Sequence, residues 1–340
     1  MNPRYRRLLI PGLLIALLVI VLVSSLARKA DGAEARPAEL SSLTDPRITE
    51  SSGLVMSRED DDLAYTINDS GSDPVVYAVD ITTGDTVGTA TLPGDLSDTE
   101  ALSIDGDGTL WVADTGDNER DRTDVALYSL PEFGRSDRGT VEAARYPLTY
   151  PDGPRDVEAL AVNPLTGEKF LLSKGLLGGE VYSVPDDLVA DEPNEVAVLD
   201  PSVPGVITDA AFTVDGRYVI ARDYSSAHVL DATTWQSVSS TRMPSVDQGE
   251  TLATEASGRS YLVGSEGVGS ALIRIPFTAP PPPEPSDEPS PSPSPTVAAV
   301  DPSTSPPAGG NGFPGATWFW AVVVVGLLAA ISAAATTRRH

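Results

Sequence analysis

The sequence predicts an all-β fold built from repeated units of short strands, and three observations carry that prediction. Apolar runs of four to five residues, β-branched or aromatic and bounded by Gly, Asp, Asn and Pro, recur along the chain. No window from Leu43 to Phe277 sustains the i, i+3, i+4 apolar spacing of a helix. One unit also returns, degraded but legible, until five copies have passed.

The clearest copy is Thr99–Pro131. A carboxylate leads an apolar run (Glu100, Ala101, Leu102, Ile104), followed by a turn at Asp105–Gly108 and a β-rich run at Leu110–Ala113. A polar loop at Asp114–Asp124 and a third apolar run at Val125–Leu130 complete it. Three short strands joined by turns are most of a propeller blade. Further copies start near Glu50, Val157, Thr208 and Gly249, and the leading acids Glu50, Glu100, Glu158, Asp209 and Glu250 are spaced by about 50, 58, 51 and 41 residues. A five-bladed β-propeller is expected; a six-bladed ring, at about 40 residues per blade, is the alternative.

Each element has its own signal. Ala64–Ile67, Val75–Val79, Phe170–Leu172, Tyr218–Ala221 and Tyr261–Val263 read as second or third strands. Outer strands are expected at Thr86–Leu92, Arg145–Tyr150, Glu195–Leu199 and Ser237–Met243. The last blade runs out of sequence at Phe277, so its outer strand is expected from Glu39–Leu43, which closes the ring and removes exposed edges.

The flanks point to the cell envelope. Residues 1–35 place Arg4, Arg6 and Arg7 ahead of an apolar core at 8–27, long enough at about 20 residues to span a bilayer. This is a signal peptide, cleaved near Ala33-Glu34-Ala35, or a retained N-terminal anchor. Residues 36–278 are the propeller domain. Residues 279–315 form a Pro-rich stalk without Lys or Arg, extended at about 3.1 Å per residue. Residues 316–335 are a second apolar span with Trp318 and Trp320 at one end, and 336–340 are a tail carrying Arg338 and Arg339. The positive-inside rule puts the tail in the cytoplasm and the propeller on the extracellular side of the plasma membrane. No LPxTG motif precedes the span, so a plain transmembrane anchor is expected rather than wall attachment.

Composition narrows the chemistry. A formal charge of −26 argues against nucleic acid as a partner and is compatible with cation binding. There is no Cys, and the two His are His228 and His340, so thiol chemistry and Cys- or His-rich metal sites are excluded.

The motifs SSGL at Ser51–Leu54, NDSG at Asn68–Gly71, TEAL at Thr99–Leu102, VADTGDNERDR at Val112–Arg122, DVEALAV at Asp156–Val162 and QGETLA at Gln248–Ala253 resemble a family of exported propeller proteins. That family is common in Gram-positive, high-GC bacteria and mostly of unassigned function. VADTGDN is also similar to the NHL repeat, and the acid-small-apolar blade starts are similar to phytase-like and esterase-like propellers. The fuller metal-and-phosphate motifs of true propeller phytases are not visible here, so their activity is not carried over.

Strand parity places the candidate site. In an up-and-down blade, the entry to the innermost strand and the loop after the second strand lie on one face. Glu50, Glu100, Glu158, Asp209 and Glu250 are therefore expected around the channel mouth. Asp69, Asp114, Asp117 and Asn118 join them as candidate metal ligands, with Lys174, Arg222, Asp223 and Glu266 as candidate ligand-binding residues. Crowded carboxylates are relieved by raised pKa values, basic partners or a bound cation, and Ca²⁺, with six to eight oxygen ligands, fits such a set. The alternative is that the blade-start acids only fix loop amides, and that Asp114–Asn118 is an ordinary Asx turn. His228 reads as packed in its strand or, less simply, catalytic. The expected function is a membrane-tethered binding module for a ligand or envelope partner on an acidic top face. A metal-dependent phosphoesterase or esterase and an envelope scaffold are the alternatives.

Overall fold

The computed structural model describes residues 36–70 and 73–281. The expected membrane spans, the stalk beyond Pro281 and the tail lie outside the described residues. Among the described residues no helix is long and apolar enough to cross a membrane.

Alternating apolar and polar positions, cut by Gly- and Asp-rich turns, fold these residues into five sheets, one per repeat. Strand β1 (Ala38–Ser42) comes first in the chain but belongs to the last blade. Blade 1 is β2 (Ser51–Met56), β3 (Leu63–Asn68), β4 (Val75–Asp80) and β5 (Thr86–Thr91). Blade 2 holds β6 (Thr99–Ile104), β7 (Thr109–Asp114), β8 (Ala126–Pro131) and β10 (Ala144–Thr149), and the short β9 (Gly139–Thr140) lies parallel on β5. Blade 3 is β11 (Val157–Val162), β12 (Lys169–Ser173), β13 (Gly179–Ser183) and β15 (Ala197–Val203), with β14 (Asn194–Glu195) parallel on β10. Blade 4 is β16 (Asp209–Phe212), β17 (Tyr218–Arg222), β18 (Ser226–Asp231) and β19 (Ser237–Arg242). Blade 5 is β20 (Thr251–Thr254), β21 (Ser260–Gly264) and β22 (Ala271–Pro276), completed by β1. The protein is thus a five-bladed β-propeller, and the six-bladed alternative is set aside.

The period of two explains how blades stack. In β7, Leu110 and Val112 face blade 1, whereas Trp111 and Ala113 face blade 3. The same alternation yields five apolar clusters, each shared by two adjacent blades. The inner strands β2, β6, β11, β16 and β20 contact one another in a ring around the axis. At the closest approach Gly53 takes φ +72°, and a Cβ there would lie 2.4 Å from the Leu102 backbone nitrogen. Only glycine fits that bulge.

Inner strands start, and second strands end, on what we call the top face. β22 runs from Ala271 at the top to Pro276 at the bottom, and antiparallel β1 pairs Ser42 with Ala271 and Ala38 with Arg274. Arg36 and Pro281 therefore both leave from the bottom face, where the Tyr218 hydroxyl donates to the Pro280 carbonyl at 3.1 Å.

Ring closure depends on β1 and on Leu43, which is 2% exposed and packs with Ile48, Leu54 and Leu272. Deleting Glu39–Leu43 is expected to lower the melting temperature sharply, and Leu43→Ala alone to cost about 2–5 kcal/mol. Circular dichroism melting of the propeller domain checks both; an unchanged midpoint after the deletion would show that blade 5 is self-sufficient.

Candidate functional site at the top mouth of the channel

A polar cleft of about 160 Å³ opens on the top face at the channel mouth. Its walls bring together Asp69, Glu100, Glu158, Glu250, Glu266, Asn118 and Lys174, all expected from sequence, with Tyr224 and Gln248, which were not. The opposite mouth is lined mainly by apolar residues such as Leu54, Met56, Ile104 and Phe212. Chemistry is thus concentrated at one end of the axis.

The blade-start acids are not equivalent. Between the pairs Thr99↔Asp114 and Ala101↔Ala113 the register shifts, so Glu100 is a bulge residue of β6. Glu158 is the bulge residue of β11 by the same shift. A bulge re-aims its side chain, and these two point into the cleft. In blade 1 the bulge residue is Gly53, and Ser52 Oγ donates to the Glu100 carbonyl at 2.7 Å. Glu50 is instead the counterpart of Asp98. Asn68 Oδ1 accepts from the amides of Thr49 and Glu50, just as Asp114 Oδ1 accepts from those of Ser97 and Asp98.

Asp209 departs further. It pairs in register with Arg222 and is fully buried. Its carboxylate accepts from the amides of Leu252 and Ala210 and meets the Leu54 amide. Burial holds its pKa well above the usual range, against the pull of those amides and Arg222. Arg222 is enclosed beside it, with Nη1 donating to the carbonyls of Thr251 and Gly264 at 2.8 and 2.9 Å. Its guanidinium fills the space a Gly249 Cβ would need, and burial pulls its pKa down to about 10. Neither lines the cleft.

The Asp114–Asn118 loop is scaffold for the cleft. Asp114 holds Arg122 at 2.8 Å, with burial raising its pKa against the amides and that guanidinium. Asp117 caps the amides of Asp121 and Arg122, and Arg122 returns to the Gly116 carbonyl. Asn118 alone of the loop's candidate ligands lines the cleft. Asp223 is likewise committed elsewhere: it accepts from the Ser225 and Ser226 amides and contacts His228 Nε2 at 2.8 Å. These contacts hold its carboxylate below the ordinary range even though burial opposes them.

Within the cleft, Asp69, Asp98 and Glu100 each bring a carboxylate oxygen within 4.8 Å of the others. Gly116 makes room for two of them, since a Cβ there would lie 2.4 Å from Glu100 Oε1 and 2.5 Å from Asp98 Oδ2. Asp69 Oδ1 and Glu158 Oε1 are buried without a hydrogen-bond partner among the described residues. Across the cleft Lys174 Nζ donates to Glu158 Oε2 at 2.9 Å, the Tyr224 hydroxyl to Glu250 Oε1 at 3.1 Å, and Gln248 Nε2 to Glu266 Oε2 at 2.7 Å.

The electrostatics follow from burial and crowding. Burial, then the neighbouring Asp98, pushes Asp69 up to about 8. Burial pushes Glu158 up to about 8 although Lys174 opposes it, and burial with the Glu250 carboxyl does the same to Glu266. Glu100 is raised well above its ordinary value by burial and by Glu158. Lys174 is desolvated, yet the Glu158 carboxylate outweighs that and raises its pKa.

No protein-family model matches the chain, and no curated protein matches it in sequence. It is similar to the solved glutaminyl cyclase of Myxococcus xanthus, at 12% identity over 72% of this chain and 97% of that one, with a TM-score of 0.47. It is also similar to XC5397 of Xanthomonas campestris, described as a gluconolactonase, at 13% identity over 72% and 91%, with a TM-score of 0.44. Against the Cps50 β-propeller domain of Myceliophteria thermophila, identity is 18% over 66% of this chain and 65% of that one, with a TM-score of 0.37. The blade count rests on this chain's own strand pairing.

Raised carboxyl pKa values fix the sign of a pH effect. The folded state holds protons on Asp69, Glu158 and Glu266 up to about pH 8, whereas the unfolded chain releases them near pH 4. The stability these groups contribute is complete below about pH 4 and is lost as pH rises through about 8. In chelator, the melting temperature is expected to be lower at pH 8 than at pH 5.5, with the difference reduced in Asp69→Asn. Differential scanning calorimetry at the two pH values checks it.

Proposed function

We propose that this chain is a membrane-tethered extracellular binding module that engages its partner on the acidic top face and holds Ca²⁺ there. Asp69, Asp98 and Glu100 are the proposed ligands, with Glu158 facing them. The carrying observation is the trio of carboxylates, two of which, Asp98 and Glu100, occupy the space that a side chain at Gly116 would fill. Buried oxygens at Asp69 and Glu158 that lack partners among the described residues support it. An all-oxygen donor set favours a hard cation such as Ca²⁺ over zinc or copper. A bound dication also offsets the burial and mutual repulsion that raise the carboxyl pKa values. The metal-dependent hydrolase alternative would rest on the same carboxylates and cation; His228 contacts Asp223, does not line the cleft and adds nothing to it.

Ca²⁺ at about a hundred times its Kd adds about 2.7 kcal/mol to the folded state, a rise of roughly 5–10 °C for a domain of this size. Asp98→Asn with Glu100→Gln, and separately Gly116→Ala, are expected to abolish most of that rise. Identical melting in calcium and chelator, with no metal by elemental analysis, would leave the acids with a purely structural role.

The tether is a separate part of the proposal. Both ends of the described domain leave from the bottom face, so segments reaching a membrane would leave the cleft open on the far side. Protease added to intact protoplasts is expected to remove the propeller while sparing a tag after His340; protection of the propeller would overturn the extracellular placement.

A further inference from the structure

We infer that the top face recognises a polypeptide segment that carries basic side chains next to apolar ones, with the Leu176–Leu177 tip as its apolar anchor. This deepens the reading of the cleft as a ligand site, but it does not depend on which cation the carboxylate trio takes.

The first observation is where exposed apolar side chains lie. Leu176 is 82% and Leu177 100% exposed, at the tip of the top-face loop between β12 and β13. That loop begins at Lys174, the cleft's one lysine. Val268, 61% exposed, follows Glu266 by two residues, and Tyr224, 38% exposed, lines the cleft itself. Lys174 Nζ lies 5.7 Å from the Tyr224 ring centroid, so tip, lysine, aromatic ring and carboxylates adjoin. Exposed apolar groups on two top-face loops whose neighbouring residues, Lys174 and Glu266, line a polar site mark an interaction surface.

The second observation is that the tip is built, not slack. A Cβ on Gly175 would lie 2.0 Å from the Gly178 carbonyl oxygen, and one on Gly205 would lie 2.7 Å from that of Leu176. The Val206 amide donates to the Gly175 carbonyl at 2.9 Å, and Val206 itself takes φ 60°. Glycines and one strained valine hold a tight turn whose outward residues are two leucines. A preorganised anchor loses little entropy on binding.

Charge selects the partner's chemistry. Asp69, Asp98, Glu100, Glu158, Glu250 and Glu266 face one lysine, so accepting carboxyl oxygens outnumber the cationic donors, and with a dication at the trio that excess lies beside Tyr224, at Glu250 and Glu266. Ammonium or guanidinium groups complement that excess, and Tyr224 offers a ring face for cation–π contact. An anionic lipid surface meets the opposite sign.

The test is calorimetric titration of the propeller domain, residues 36–281, whose ring closes within itself. The probe is a synthetic octapeptide of alternating Leu and Lys, compared with Ser/Lys and Leu/Glu octapeptides, in calcium and in chelator. The Leu/Lys peptide is expected to bind about tenfold or more tightly than either comparator. Leu176→Ser with Leu177→Ser, which leaves the melting temperature unchanged, and Glu250→Gln with Glu266→Gln should each remove that margin. Equal binding of the Ser/Lys peptide, or wild-type binding by the leucine double variant, overturns the proposal. So does leucine-dependent sedimentation with phosphatidylglycerol vesicles in place of peptide binding. If peptide binding persists while calcium has no effect on melting, the metal reading fails and this one stands.

Discussion

The constraint on which the molecule depends is the convergence of five inner strands on one axis. Closing the ring brings backbones near enough that Gly53 cannot carry a side chain against β6. It also leaves amides at the axis that need acceptors. Asp209 supplies them: one fully buried carboxylate reaches the amides of Ala210, Leu252 and Leu54, on β16, β20 and β2. Arg222 stands beside it and satisfies two carbonyls of blade 5. The two are register partners, so losing either leaves buried backbone groups of blade 5 without a partner, at about 1–3 kcal/mol per group. The charge that reads in sequence as a site residue is, in the fold, the axial tie.

The same convergence creates the cleft. Strand starts must meet at the top, and two of them carry glutamates turned inward by bulges. Loops from neighbouring blades add Asp69, Asp98 and Glu266, and Gly116 keeps space clear for two of these carboxylates. A structure selected for stability alone would gain by neutralising some of these groups. Local disagreement between stability and charge marks the cleft as a candidate site, and Gly116 is its most economical sign.

The fold was legible because period-two alternation and Gly/Asp turns are local signals, and because a blade lacking its outer strand must borrow one. The cleft was legible in part. Strand parity sent Glu100, Glu158, Glu250, Asp69, Lys174 and Glu266 to one mouth, since parity does not depend on detail. Glu50 was aligned with Glu100 because both precede an apolar run, but the bulge in blade 1 is Gly53, and Glu50 is the counterpart of Asp98. Asp98 precedes no apolar run of its own and stands out only through the spacing Asp98-x-Glu100, which recurs as Asp156-x-Glu158. Asp114, Asp117 and Asp223 were not separable from metal ligands in sequence, because a carboxylate that caps a loop amide and one that binds a cation use the same oxygens.

The two faces of the ring differ in how regular their loops are. Bottom turns repeat one solution: Asp105 caps the Asp107 and Thr109 amides, Asn163 caps Leu165, and Asp215 caps Arg217. Such turns are fixed by the need to reverse a strand within a few residues. Top loops share the Asn68 and Asp114 caps in blades 1 and 2 but otherwise diverge. One braces itself through Arg122, one carries two bare leucines on a glycine frame, and one turns His228 toward Asp223. Top loops reverse strands too, β17 to β18 in three residues, yet the divergence of their residues is what lets a blade contribute a distinct side chain to a shared cleft. It is also why the cleft's chemistry is irregular although the ring that carries it is repetitive.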